Sequence, residues 1–274
     1  MKMFIRAAAL AVSLLGGAAQ AGPFILSGTD ADDHGSFSSG ANQDGWLFMQ
    51  LALQNIAAGS SLTTTNRVVV ALGSEGAALN AAQSAFNFST LAGMGGWTFL
   101  SVPILDNSTL ANALSLGGIL MLDSGAQIGG GRTGAEETVL TTNAAALNAF
   151  VGAGGGLFSQ AGTYGWLSAL VPGLTVATAS FTGLTLTPSG SSAFPGLNNG
   201  DLSAGPYHQN FNNIGAIPVL ATGQNGTLNV IIGAAGGSII VPDPVSPVPE
   251  PETYALMLAG LAVIARMTRR RKSA

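Results

Sequence analysis

The sequence predicts an α/β protein, a three-layer sandwich on a mainly parallel sheet, and two observations point to it. Short, continuously apolar runs recur at Phe24-Ile25-Leu26, at Val68-Val69-Val70-Ala71-Leu72 and at Ile119-Leu120-Met121-Leu122. Such runs, with no polar alternation, fit strands covered on both faces, as parallel sheets require. Segments of helical spacing or helical composition lie between them. This strand-helix alternation with short links is the pattern of α/β layering, and no tandem repeat of fixed period argues for a solenoid or propeller.

Taken in order, residues 23–27 form a strand feeding the polar loop Gly28-Thr29-Asp30-Ala31-Asp32-Asp33-His34-Gly35. Over residues 45–58 the apolar side chains Trp46, Leu47, Met49, Leu51, Leu53 and Ile56 recur at roughly helical spacing, and Gly59 stops the run. A β-branched strand follows at 67–73, then an Ala-rich helix at 75–88 and an extended piece at 97–102. Ser108 is the expected cap of a helix reaching Leu116. The strand at 118–125 carries Asp123 at its carboxyl end, and a helix begins at Thr141 or Thr142 and runs through Phe150 to Gly152-Ala153-Gly154. Residues 155–160 make a further strand. Beyond Trp166 come β-type runs at 174–180 and 181–188, a Gly/Asn/Ser-rich loop at 189–205, and two last strands at 217–222 and 228–233, which complete the sheet or an antiparallel edge.

The two ends of the chain read as addresses rather than structure. Lys2 and Arg6 precede an apolar stretch at 7–17, and Ala19-Gln20-Ala21 is a small-x-small cleavage site, so residues 1–21 are expected to be a signal peptide used by the Sec translocon and signal peptidase. At the other end, prolines at 242, 244, 247, 249 and 251 make residues 241–252 an extended tether. Residues 253–274 then hold a short apolar helix, Tyr254 to Ala265, and a basic tail of Arg266, Arg269, Arg270, Arg271 and Lys272. The apolar stretch is shorter than the roughly 20 residues that span a hydrocarbon core comfortably, and the cationic end favours the cytoplasmic side.

The order Pro249-Glu250-Pro251, apolar helix, basic tail resembles the PEP-CTERM sorting signal of Gram-negative bacteria, also described as an ice-binding protein C-terminal domain. The resemblance implies recognition by exosortase, cleavage near Pro249, Glu250 and Pro251, transient anchoring in the inner membrane by a transmembrane helix, and delivery to the cell surface or biofilm matrix. An ordinary tail anchor that is never cut is the alternative.

Between the two addresses, residues 22–240 make up the exported domain. Counted over 22–248, two basic residues, Arg67 and Arg132, face eleven acidic ones, a net charge of −9. That sign disfavours nucleic acid and anionic polymers as partners, and it attracts divalent cations or cationic glycans. The chain has no cysteine, which excludes a disulfide framework, a thiolate nucleophile and thiolate metal ligands.

Residues 145–159, Ala-Ala-Leu-Asn-Ala-Phe-Val-Gly-Ala-Gly-Gly-Gly-Leu-Phe-Ser, with the strand Ile119 to Asp123 before them, resemble the helix-to-strand unit of class I glutamine amidotransferase-like domains, which have a flavodoxin-like sheet. The turn that would carry the cysteine nucleophile reads Ser159-Gln160-Ala161-Gly162, so the resemblance implies a scaffold and not amidotransferase chemistry. Ser159 is a candidate replacement nucleophile, with His208 as base and Asp123 or Asp201 as its orienter, although Gly-x-Ser-x-Gly is missing.

Asp30, Asp32, Asp33 and His34, joined by Asp123, are the densest group of ligating residues, and their oxygen-rich character suits Ca²⁺ or Mg²⁺. A solvated acidic turn is the alternative. Gly129-Gly130-Gly131 and Gly154-Gly155-Gly156 read as turns, and Arg132 is expected to pair with Glu136 or Glu137. Two functional readings follow. In the first the domain is a non-catalytic surface or matrix protein that binds extracellular polysaccharide or a partner through this acidic rim. In the second it is a secreted hydrolase, metal-assisted or Ser/His, acting at the carboxyl ends of the strands.

Overall fold

The structure is a computed structural model that describes residues 22–60, 66–93 and 96–233. The expected signal peptide, the Pro-rich tether with Pro249, Glu250 and Pro251, and the apolar sorting helix lie outside the described residues. Among the described residues no helix is long and apolar enough to cross a membrane.

The chain opens with strand β1 (Phe24–Ser27), a hairpin of β2 (Gly35–Ser38) and β3 (Ala41–Gln43), helix α1 (Asp44–Gly59), strand β4 (Val68–Leu72), helix α2 (Gly76–Asn87) and strand β5 (Thr98–Val102). Helix α3 (Asn107–Leu116), strand β6 (Ile119–Leu122), helices α4 (Gly134–Thr142) and α5 (Ala144–Gly152), and strand β7 (Gly156–Ser159) follow. The last part holds α6 (Leu167–Leu170), β8 (Thr175–Phe181), β9 (Leu184–Leu186), α7 (Pro188–Ala193), α8 (Asn199–Leu202), β10 (Tyr207–Asn212), β11 (Val219–Gly223) and β12 (Leu228–Gly233).

One mixed sheet organises these elements, in the order β5-β4-β6-β7-β1-β12-β10-β8, with β11 and β9 branching from β12. The first five strands of that order are parallel throughout, with β7 lying beside β1 in the register Phe24 to Leu157 and Leu26 to Ser159. Every later pairing is antiparallel. The change of direction falls on β1, whose other edge bonds β12 with Ile25 opposite Gly233 and Ser27 opposite Ile231. The final strands therefore do more than close an edge: β12 is interior to the sheet.

Alternate side chains of each central strand enter different cores, as a pleated ribbon dictates. Ile25, Val69, Ala71, Ile119, Met121 and Phe158 pack with Phe48, Leu53 and Ile56 of α1 and with Ala81 and Ala85 of α2. Phe24, Leu26, Val70, Leu72, Leu120 and Leu157 pack on the opposite face with Leu110 of α3, Leu140 of α4 and Phe150 of α5. Two cores on two faces give the three layers. Val69 and Leu120, which a parallel, doubly covered sheet requires to be buried, have no exposed surface.

Local chemistry moves several boundaries from the expected ones. Asp106, not Ser108, caps α3: its Oδ1 accepts from the backbone N–H groups of Ser108 and Thr109, each at 2.8 Å, and Thr109 Oγ1 accepts from Asp106 N in return. The expected helix through Phe150 is α5, which begins at Ala144, and a further helix, α4, precedes it from Gly134, where Thr133 and Glu136 form a capping box. The expected loop at 189–205 contains the last residues of α7 and all of α8. The β2-β3 hairpin and strand β10 are elements that apolar periodicity does not announce.

Phe158, fully buried at the middle of β7, meets Phe48 edge to face at 5.8 Å, and Phe48 meets Phe194 at 5.2 Å. Phe158→Ala empties the junction between the sheet and α1 and is expected to cost roughly 3–5 kcal/mol by urea denaturation. A loss under about 1 kcal/mol would contradict this packing.

Candidate functional site

The carboxyl ends of β1, β4, β6 and β7 lie along one rim, and each is followed within a few residues by a buried polar side chain, Asp32, Ser74, Asp123 and Gln160. After β1 the chain makes a tight turn in which Asp33 N and His34 N both donate to the Asp30 carbonyl, at 3.0 and 3.3 Å. A turn this tight sends neighbouring carboxylates in different directions. Asp32 goes inward and is buried: its Oδ2 accepts from Ser124 N at 2.8 Å, and its own N–H donates to Gln160 Oε1 at 3.0 Å. Burial pushes the Asp32 carboxyl up to about 6, with the Asp123 and Asp30 charges adding to the push and hydrogen bonding from Ser124 opposing it.

Asp123 belongs to this buried network. Its Oδ1 accepts from Gly125 N, Arg132 N and Arg132 Nη1, at 2.8, 3.0 and 3.1 Å, and its Oδ2 accepts from Ser74 Oγ at 2.6 Å. Arg132 Nη2 reaches Glu137 Oε1 at 3.2 Å, so one guanidinium spans two carboxylates with a side chain only 1% exposed. Of the two expected partners of Arg132, Glu137 pairs with it. Glu136 instead accepts from Leu105 N and Thr133 N. The glycine turn after β6 also faces inward, since the Gly129 and Gly130 carbonyls accept from Ala78 N and Glu75 N at the start of α2. It presents acceptors there, which is the wrong polarity for holding an anion.

Asp30 turns the other way, toward a shallow open cleft lined by Thr29, His34, Asp201, Gly205 and Pro206 among others. The space in it holds little more than a water molecule, so it is a surface notch and not an enclosed small-molecule pocket. His208 Nε2 lies 2.9 Å from Asp30 Oδ2, and His34 Nε2 lies 3.3 Å from the same oxygen. Asp33 Oδ2 is 3.7 Å from His34 Nε2. Asp30, Asp33 and His34 can each aim one ligand atom so that all lie within 4.8 Å of one another.

The position of His208 is set by strand pairing. His208 N and Gln209 N both donate to the Gly28 carbonyl, at 2.7 and 3.2 Å. A side chain on Gly28 would run into the Gln209 carbonyl, so only glycine lets β10 come this close to the end of β1. The pairing with β8 slips here as well: Tyr207 faces Phe181 while Gln209 faces Thr178, which leaves an extra β8 residue opposite His208. Bulges of this kind re-aim side chains beside sites.

Of the residues singled out from the sequence, the structure brings Asp30, Asp33, His34 and His208 together at the cleft, with Asp201 on its wall. Asp32 and Asp123 lie in the buried network instead. Ser159 is 1% exposed on β7, and its hydroxyl donates to the neighbouring Gln160 carbonyl at 3.3 Å. His208 engages Asp30 and not Ser159. The groups that sequence reasoning missed are Ser74, Ser124 and Gln160, small polar residues one or two positions past a strand end.

Arg132→Met leaves the Asp123 and Glu137 carboxylates buried without a cation and is expected to cost roughly 3–5 kcal/mol in equilibrium unfolding. A near-neutral effect would contradict the network. Alongside Asp32, Glu137 contributes to the pH dependence. Burial holds its carboxyl above the ordinary 4.5, with Arg132 pulling it back, so above 4.5 the unfolded chain releases a proton that the folded protein keeps. Stability therefore falls as pH rises through that window. Glu137→Gln retains an acceptor for Arg132 and removes this fall, so the variant should gain on the parent from pH 4.5 upward. A difference that stays constant with pH would contradict the assignment.

Residues 247–272 match the PEP-CTERM protein-sorting motif. No curated protein and no solved structure matches the chain. The motif implies recognition by exosortase and an exported, cell-surface destination in a bacterium, and it leaves the chemistry of the α/β domain to be argued from the site itself.

Proposed function

We propose that this chain is a surface or matrix protein of a Gram-negative bacterium whose α/β domain acts as a binding module. The Sec translocon exports it and signal peptidase removes residues 1–21. The apolar stretch within 253–274 then holds it briefly in the inner membrane until exosortase cuts near Pro249, Glu250 and Pro251. The observation that carries the sorting half is the match over residues 247–272. Binding is supported by the shallow cleft at the carboxyl end of β1, an open surface bordered by Asp30, His34 and Asp201 rather than an enclosed pocket. With a net charge of −9 over residues 22–248, the ligand is a neutral or cationic polysaccharide, or an anionic one bridged by a cation.

An amidotransferase-like scaffold remains our reading of the parallel half, on the strength of the strand-helix-strand segment ending at Ser159. A metal-assisted hydrolase is the second reading, and one observation favours it: His34 and His208 converge on a single Asp30 oxygen, as a reacting centre requires. The burial of Ser159 disfavours the Ser/His version.

Intact-mass measurement of protein released from the cell surface tests the sorting reading. The expected species begins at Gly22 and ends near Pro249. Recovering only chains that still carry Arg269 to Lys272 would overturn exosortase processing and leave a tail anchor.

A further inference from the structure

Phe37 of β2 and Phe88, the residue that caps α2, stack with ring centroids 4.3 Å apart, yet they are 46% and 44% exposed. Single exposed apolar side chains need no explanation, but adjoining ones rimmed by polar residues mark interaction surfaces. Each ring covers one face of the other and leaves the rest of the pair to solvent.

The platform is held in place from below. β2 and β3 are joined by the two-residue turn Ser39-Gly40, with φ of 52° and 85°, the geometry that matches strand twist. A two-stranded ribbon is marginal on its own, and the buried Asn42, opposite Phe37, ties this one to two helices. Its Nδ2 donates to Gln50 Oε1 of α1 at 3.0 Å and to the Ser84 carbonyl of α2 at 3.1 Å, and its Oδ1 accepts from Ser84 Oγ at 2.6 Å. Ser84 and Phe88 are one helical turn apart, so the contact that anchors Asn42 also sets Phe88 beside Phe37.

Charge selects the ligand. Residues 35–43, α1 beyond Asp44, and α2 contain no charged side chain, although residues 22–248 carry a net charge of −9. Asn87 and Thr90, both exposed, flank Phe88 in the chain. We infer that Phe37 and Phe88 form a stacking site for a neutral polysaccharide. This deepens the binding reading above and rests on it. The C–H face of a sugar ring is weakly electropositive and meets the negative face of an aromatic ring, while amides and hydroxyls beside it exchange hydrogen bonds with sugar hydroxyls. A nucleic acid also stacks on such rings, but its phosphates are repelled by the acidic domain. Phe37 follows His34 by three residues, at most about 11 Å of chain, so one extended polymer can lie on the rings and reach the cleft.

The test is affinity electrophoresis of the full-length chain, in a detergent whose head group carries no sugar, through gels cast with dextran, galactomannan or a soluble β-glucan, with alginate as the anionic control. At least one neutral polymer is expected to retard the chain, and alginate is not. Phe37→Ala, Phe88→Ala and Phe37→Leu should each lower the affinity at least fivefold, while Phe37→Trp, which keeps an aromatic face, should retain it. Melting of each variant reports whether it folds. Should the variants not fold, hydroxyl-radical labelling of the parent suffices: the retarding polymer should protect Phe37 and Phe88 relative to Phe181, which is also 46% exposed. Affinity unchanged in the folded variants, or equal labelling of all three rings, would overturn the stacking site and leave the polysaccharide reading standing. No retardation of the parent by any neutral polymer would overturn both, and alginate retarding it as strongly would overturn the neutral class. Self-association of the parent in sedimentation that disappears in Phe37→Ala would overturn the site by assigning the rings to a second copy.

Discussion

Strand β1 is bonded in parallel on one edge and in antiparallel on the other, and the molecule depends on that double pairing. β7 holds it to the rest of the parallel half, and β12 joins it to the antiparallel strands β8 to β11. Its four residues are completely buried, so each backbone group must be satisfied within the sheet, and losing either neighbour would strand donors and acceptors away from water. The same four residues end at Gly28, so both halves of the sheet also deliver their side chains to the loop that carries Asp30 and His34.

Polar residues at the rim are sorted by the way each loop leaves its strand. Asp32, Asp123, Glu137 and Arg132 face inward and tie the ends of β1, β4, β6 and β7 together, with one guanidinium serving two carboxylates. In an exported domain whose basic residues over 22–248 are Arg67 and Arg132, spending one of them on a buried structural role leaves the surface strongly acidic. The outward-facing group, Asp30 with its two histidines, is where that surface acquires specific chemistry.

The parallel half was legible because its strands are unbroken apolar runs and its helices carry apolar spacing; β4, β6 and β7 fall where composition puts them. The antiparallel half was legible only in part. β10 reads Tyr-His-Gln-Asn-Phe-Asn, with no continuous apolar run and with Asn210 among its buried residues, so neither period announces it. It forms because β8 and β12 supply hydrogen-bond partners, a tertiary cause that no local pattern records. The start of α4 was available in principle, since Thr133-Gly134-Ala135-Glu136 is a capping-box sequence. Within the site, the density of acids at 30–34 was visible, but the division of Asp32 from Asp30 follows from a turn and from Ser124. His208 reaches Asp30 only through the pairing at Gly28.

The central claim is that β10 docks against the end of β1 so as to place His208 on the Asp30 carboxylate beside His34. An experimental electron-density map of the exported domain tests this most directly. The account predicts His208 Nε2 within hydrogen-bond distance of an Asp30 carboxylate oxygen, with the Gly28 carbonyl accepting from the backbone of β10. Well-ordered density with His208 turned away from Asp30, or with β10 unpaired at Gly28, would contradict it.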